Sequence, residues 1–471
     1  MKLYSENKDY KLYQGNMLDM LEVIEPNSID SIITDPPYGL TSITKRFGKE
    51  NSAECKYGKD GSFARLSKGF MGKEWDGSGI EYNIETWQKC FEVLKPGGYL
   101  LAFGGSRTFH RIACAIEDAG FEIRDTIMWL YGSGFPKSHN IGLDIDKLNG
   151  CPDRGHRIAV ANRHHPDGTL EPNGEQLEPY ETKTEEAHKW NGWGTALKPS
   201  FEPIIVARKP LDGTVAKNCL KWSVGGINID ECRVGNETIS IHNAPKGTFA
   251  GGEYGRGSDT SSYRDSTGRF PANTILTYDE TDFDEVCGGF PNTKNSKRSP
   301  KNNKDTEYTN TYTPPKAIYT ENNTYGDSGS ASRYFYCAKA SKKDRDEGLD
   351  TFNQEKVNDG RQTPIDNAFQ RGETLRKNTH PTVKPTELMQ YLVRLVSPNG
   401  ATILDPFNGS GSTGKAVMYE NRERNKNYKY IGIELTEEYL PIAKARIEYV
   451  CKLNEEELKE MQLSIFDMME E

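Results

Sequence analysis

The chain predicts an α/β fold built on a doubly wound, mostly parallel sheet. Three observations lead there. Short apolar runs recur at Ser28–Thr34, Tyr99–Phe103, Thr402–Leu404 and Tyr430–Ile433, each bounded by turn residues. Stretches of helical periodicity separate these runs, the pattern of strands joined by crossover helices. The alternation is confined to two blocks, 1–211 and 376–453. Neither holds a complete sheet, and together they make one.

The elements follow in order. Lys11–Gln14 reads as a short strand and Met17–Ile24 as a helix. Ser28–Thr34 (SIDSIIT) is a buried strand ended by the prolines that follow. Glu85–Leu94 is amphipathic and helical, and Lys95-Pro96-Gly97-Gly98 stops it. Tyr99–Phe103 is the next strand, a helix runs through Ala119, and Phe121–Leu130 is a further strand. Gly132–Ser200 is mostly polar, and Glu202–Arg208 (EPIIVAR) restores a strand. From Asn292 to Arg333 the only aliphatic residues are Ala317, Ile318 and Ala331, too few to order that tract alone. Residues 212–375 are therefore expected to be an irregular insertion. The α/β pattern returns with strand Thr402–Leu404, a helix near Ser412–Glu420, strand Tyr430–Ile433 and helix Glu437–Val450. Residues 454–471 form an acidic tail.

Composition narrows the setting. A mean hydropathy of -0.76 and 45 Gly in 471 residues predict long loops beside a compact core. The start, MKLYSENKDYKLY, lacks a basic end followed by an apolar run, and no run of 18 apolar residues occurs. No membrane span is expected. The nine Cys are scattered without a CxxC pair, which suits reduced thiols in a cytoplasm. Cys151, His156, His164 and His165 match no standard zinc spacing, so no metal site is expected. The net charge of -9 is concentrated in the tail, where Asn454–Glu471 carries seven acids and one Lys. A near-neutral body leaves room for a basic groove. Lys294, Lys297, Arg298, Lys301 and Lys304 form an acid-free run suited to phosphates or to solvent.

Two motifs carry chemistry. The first is Asp35-Pro36-Pro37-Tyr38, directly after a buried strand. Ligands of doubly wound sheets bind at the carboxyl ends of strands. Paired prolines stiffen the turn and remove two N–H donors. Asp35 and the Pro36 carbonyl can then accept both hydrogens of a planar amine, and Tyr38 can stack on the ring bearing it. The second is the turn Asp405-Pro406-Phe407-Asn408-Gly409-Ser410-Gly411-Ser412-Thr413-Gly414, between a strand and a helix. Its glycines admit a ligand close to the backbone, and the helix start offers free N–H groups. Glu434 ends the next strand, where an acid commonly binds ribose hydroxyls. No Gly-Lys-Ser/Thr follows at phosphate-loop spacing, so a nucleoside without phosphates fits better.

D-P-P-Y early and D-P-F-x-G-S-G late resemble the amino-methyltransferases of DNA. Their order resembles the beta group, in which the catalytic motif precedes the cofactor motif and target recognition lies between. The resemblance covers about 1–211 and 376–453. It implies a Rossmann-like methyltransferase sheet that the chain enters at the family's third strand and closes with the first and second. It implies S-adenosylmethionine as cofactor, and methylation of an exocyclic amine in double-stranded DNA after base flipping, often within restriction-modification. Asp35, Pro36, Pro37 and Tyr38 match the catalytic tetrapeptide. Phe407, Gly409 and Gly411 match the cofactor loop, with Asp405 before it and Ser410 within it, and Glu434 matches the ribose-binding acid. His380-Pro-Thr-Val-Lys-Pro385 resembles the segment that packs around the methionine end, which would set Lys384 toward its carboxylate. Where the family has Gly-Asp after its third strand, this chain has Gly15-Asn16. Asn16 would accept from the cofactor's adenine amine less strongly than a carboxylate, and Asp19 is the alternative.

An initial Asp in the tetrapeptide favours adenine N6, since cytosine-N4 members more often begin with Ser. RNA and protein-glutamine methyltransferases more often show Asn-Pro-Pro-Tyr and place the cofactor loop first. The absence of a Pro-Cys dipeptide argues against carbon-5 chemistry. Tyr131 or Phe135 is a candidate second wall of the base pocket. Residues 212–375, with Trp222, Arg233, Arg269, Phe270 and Ser332–Tyr336, are expected to recognise the target. Gln462-Leu-Ser-Ile-Phe466 resembles the peptide with which bacterial replication proteins dock on the sliding clamp.

Overall fold

The computed structural model describes residues 2–39, 79–131, 138–151, 161–164, 170–173, 181–243, 262–278, 292–293, 329–330, 335–339, 342–358 and 373–454. Phe135, the basic run from Lys294 and the segment Gln462–Phe466 lie outside them.

A ten-stranded sheet organises the molecule. Its strands are β1 (Lys2–Glu6), β2 (Tyr10–Gln14), β3 (Ile29–Thr34), β4 (Leu94–Phe103), β5 (Glu122–Tyr131), β6 (Phe201–Arg208), β7 (Thr274–Tyr278), β8 (Tyr336–Lys339), β9 (Thr402–Asp405) and β10 (Lys429–Glu434). Their spatial order is β1-β2-β10-β9-β3-β4-β6-β5-β7-β8. All run the same way except β1, antiparallel to β2, and β6, antiparallel to both β4 and β5. The sheet is thus mostly parallel and covered on both faces, as expected.

Alternation along the strands sorts the two cores. On β4, Tyr99, Leu101 and Phe103 face one core, and Leu100 and Ala102 face the other. The first core holds helices α8 (Thr386–Val396), α9 (Ser412–Glu423) and α10 (Leu440–Lys452). The second holds α1 (Met17–Leu21), α2 (Ile84–Val93) and α3 (Phe109–Asp118). The remaining α-helices among the described residues are α4 (Ile141–Leu148), α5 (Glu185–Lys189), α6 (Val215–Trp222) and α7 (Lys342–Asp346). None of the described helices is long and apolar enough to cross a membrane.

Several boundaries differ from the sequence reading. Helix α1 stops at Leu21 rather than Ile24, and the chain turns through 22–24 before Glu25-Pro26. The last helix is split: a 3-10 turn at Glu437–Tyr439 precedes α10, whose Pro441 fits only in a first turn. Strand β4 begins at Leu94, through the Lys-Pro-Gly-Gly that was to end α2. There the buried Asn218 of α6 donates to the Pro96 carbonyl at 2.9 Å. The insertion is also less separate than expected. Its α6 packs on β4, and its β7 and β8 extend the sheet beside β5. The Trp129 indole donates to Thr277 Oγ1 at 2.7 Å, which fastens β7 to β5.

Candidate active site

The decisive placement is that of β9. It comes late in the chain yet pairs in parallel with β3, Leu404 opposite Ile32. The helix after β9, α9, packs in one core and the next helix after β3, α2, in the other. This pair is therefore the switch point of the sheet, where a crevice opens beyond the strand ends. The acid-proline-proline-tyrosine corner and the glycine corner sit side by side there. The Thr34 hydroxyl donates to Asp405 Oδ1 at 2.7 Å and joins them directly. Both corners line one cavity of about 1220 Å³.

The glycine corner is built around two buried carboxylates. Asp405 accepts from Thr34 and the Phe407 N–H (3.1 Å) through Oδ1, and from Thr413 Oγ1 (2.6 Å) through Oδ2. Burial still pushes its pKa up to about 6. Glu434 accepts from the Gly409 N–H and the Thr436 N–H, each at 2.7 Å, and burial raises it to about 7. The Thr436 side chain also donates to it, and the carboxylate lines the cavity. Gly409, Gly411 and Gly414 have G-x-G-x-x-G spacing, so spacing alone leaves a dinucleotide loop possible. The buried Asp405 at the start of the loop disfavours a pyrophosphate there, because like charges would meet without water between them. Gly409 has φ +51, and a Cβ there would lie 2.8 Å from His380 Nε2. The His380 ring bonds the Thr382 carbonyl through Nδ1 at 2.7 Å, and burial pushes its pKa down to about 3, so it stays neutral.

The catalytic corner is charged and paired. Asp35 Oδ2 accepts from Lys384 Nζ at 2.6 Å. The Tyr38 hydroxyl lies 2.8 Å from Asp35 Oδ1 and 2.9 Å from Glu202 Oε2, and with one hydrogen it donates to one of them at a time. Burial and the carboxylates of Asp35 and Glu202 hold the Tyr38 pKa well above the usual phenol value, so the hydroxyl remains a donor. Lys384 Nζ also lies 3.4 Å from Glu202 Oε2 and over the rings of Phe103 and Tyr38, at 4.9 and 5.4 Å. Burial alone would lower its pKa, but Asp35 and Glu202 outweigh that and hold it above the ordinary lysine value. Tyr131 closes this side, its hydroxyl 3.4 Å from Glu202 Oε1.

With this geometry, comparison with known proteins is informative. The profile of a family described as DNA methylase, of the N6/N4 type, matches residues 29–445. The chain belongs to the DNA methylase family. Among curated relatives, it is 28% identical over 236 residues to the type II methyltransferase M.HindIII of Haemophilus influenzae, covering 46% of this chain and 64% of that one. It is 31% identical over 141 residues to M.HpaI of Haemophilus parainfluenzae, covering 30% and 38%. It is 34% identical over 83 residues to the DNA adenine methyltransferase YhdJ of Escherichia coli, covering 18% and 26%. The chain thus spans less than two thirds of the length of each.

In the sheet order β2-β10-β9-β3 the late strands β9 and β10 close the sheet between the early strands β2 and β3, and so join the two blocks of the chain. Asp35, Pro36, Pro37, Tyr38, Asn16, Lys384, Asp405, Phe407, Gly409, Ser410 and Glu434 all line the cavity. Gly411 does not. With φ +77 it starts α9, and a Cβ there would meet Ala443 of α10 at 3.0 Å. Asn16 caps α1, its Oδ1 accepting from the Leu18 N–H at 3.1 Å, so only part of its capacity faces a ligand. Lys384, expected at a methionine carboxylate, lines the cavity with its ammonium on Asp35. Ser410 meets Arg446, whose Nη1 lies 2.8 Å from its carbonyl oxygen. In the sequence Glu202 shows only as the start of a strand. The antiparallel direction of β6 brings its first residues to the carboxyl ends of its parallel neighbours.

Proposed function

We propose that this chain transfers a methyl group from S-adenosylmethionine to the exocyclic N6 amine of adenine in double-stranded DNA, taking the base out of the stack to reach it. The observation that carries the reading is the direct abutment of an amine-accepting corner and a nucleoside-accepting corner, joined by the Thr34–Asp405 bond. Bound at the glycine corner, the cofactor supplies an electrophilic methyl. Glu434 would accept its ribose hydroxyls, with the Gly409–Ser410 backbone, Phe407 and Asn16 around the nucleoside. Asp35 and the Pro36 carbonyl accept the two hydrogens of the target amine and turn its lone pair toward the methyl. Tyr38 stacks on the base, held by its hydroxyl between two carboxylates. Positioning of this kind offsets about 7–11 kcal/mol of a bimolecular barrier. The similarity to a DNA adenine methyltransferase and the initial Asp of the tetrapeptide favour adenine over cytosine N4. Residues 212–375 recognise the target sequence in this reading, and Gln462–Phe466 docks on a sliding clamp. Unchanged retention on a clamp column after deletion of 462–466 would remove that partner. Nucleosides from DNA methylated by the protein, separated by mass spectrometry, should contain N6-methyladenine. N4-methylcytosine alone would overturn the adenine assignment.

Cofactor affinity should depend on pH. Hydroxyl donors favour ionised Glu434, whose pKa of about 7 means that a proton must leave as the ligand binds below neutrality. Affinity for S-adenosylmethionine is therefore expected to fall about tenfold from pH 8 to pH 6. Glu434→Gln should flatten that part of the profile. Titration calorimetry giving the two proteins the same pH dependence would remove Glu434 from the cofactor site.

A further inference from the structure

Asp35 presents a difficulty for the reading above. Both its oxygens already accept one bond, Oδ1 from Tyr38 and Oδ2 from Lys384, so the incoming amine must share an oxygen with the ammonium or displace it. That ammonium is buried and cannot be released unpaired without a large desolvation cost. Glu202 Oε2 lies 3.4 Å from the same nitrogen, slightly beyond the 2.7–2.9 Å at which such a bond closes. It is the second carboxylate within ion-pair distance of Lys384 among the described residues. The cation's aromatic surround of Phe103, Tyr38 and Trp129 is within reach of the present position and would remain beside it through a short shift. Tyr38, within hydrogen-bond distance of both acids, can keep a donor on either one.

We propose that Glu202 is the second seat of the Lys384 ammonium, which passes from Asp35 to Glu202 as the target amine takes its place on Asp35. The inference rests on the amine-methylation reading and assigns Glu202 as a positioning residue acting through Lys384. Base capture becomes an exchange of partners at constant charge: an amine N–H replaces an ammonium N–H on Asp35, and the ammonium finds a carboxylate already beside it. The arrangement favours entrants that carry an amine, because a base lacking one would leave Asp35 without a donor after Lys384 had moved.

The test uses single-turnover methylation of unmethylated plasmid DNA with the whole chain in excess. Glu202→Gln keeps the shape and removes the charge, and should slow transfer at least tenfold while S-adenosylmethionine affinity stays within twofold. Glu202→Asp, which restores the charge, should recover most of the rate. In a Lys384→Met background, adding Glu202→Gln should change the rate by less than twofold. An unaltered rate in Glu202→Gln, or an equal loss in both backgrounds, would overturn the proposal while leaving the methyltransferase reading intact. Absence of transfer by the wild-type protein would overturn that reading and this inference together. Should Glu202→Gln not fold, the structure of the wild-type protein with duplex and a non-transferable cofactor analogue decides. Lys384 Nζ closer to Glu202 than to Asp35 supports the exchange, and an ammonium still bonded to Asp35 refutes it.

Discussion

Asp35→Ala is expected to lower methyl transfer by more than about a thousandfold, with S-adenosylmethionine affinity changed by less than about twofold. In the proposed reading Asp35 is the carboxylate at the tip of β3 that holds the amine, and its partner in that task is a carbonyl fixed by the Pro36-Pro37 turn. Without it the amine keeps its lone pair in conjugation with the ring, and the nitrogen is neither aimed nor activated. The fold should survive. Lys384 loses one carboxylate and retains Glu202 at 3.4 Å, so no buried cation is left unpaired. The Thr34–Asp405 bond does not involve the replaced side chain, and the glycine corner stays in place. Rate by single turnover and affinity by calorimetry separate the two effects. Turnover within tenfold of wild type would show that another group holds the amine.

Lys415→Met should destabilise the protein by about 3–5 kcal/mol, the usual result of removing one partner from a buried ion pair. Lys415 lies in α9, directly behind the glycine corner, and is 0% exposed. Its ammonium bonds Asp344 Oδ1 at 2.5 Å, Glu347 Oε2 at 2.7 Å and the Asp344 carbonyl at 3.1 Å. Asp344 also accepts from the Thr386 N–H (2.8 Å) and hydroxyl (2.5 Å) at the start of α8, where Pro385 supplies no side-chain cap. Burial would raise the Asp344 pKa, but Lys415 and Arg446 outweigh it and keep the carboxyl ionised below its ordinary range. One cation thus joins α7 to α9, and through Asp344 to α8, and its loss leaves two partly buried acids without the ammonium they share. Denaturant unfolding checks the figure. A loss under about 1 kcal/mol would mean that water reaches the pair and screens it.

The two chemical corners were legible because each is a contiguous run whose geometry is local. Proline rings set the turn after β3, and glycines at positive φ set the turn after β9. The parallel strands between them were legible for the same reason, as short apolar runs against polar turns. The boundary of the last helix slipped at Pro441, which fits only in a first turn and so divides the 3-10 turn from α10. Strands β7 and β8 escaped notice because they are short, lie in polar surroundings, and become strands by completing the edge beside β5. Glu202 and Asp344 read as ordinary charged residues because nothing within several residues of either one marks it.

The sequence by itself determined which side chains can grip an amine, which turn can cradle a nucleoside, and that both stand at the ends of buried strands. Tertiary structure alone decided that β9 lies beside β3, that Lys384 rests on Asp35 with Glu202 in reach, and that Lys415 holds α7 to α9. Turn geometry arises from neighbouring residues and so is written locally. Strand order and the pairing of buried charges depend on segments hundreds of residues apart, brought together only when both cores close and water leaves.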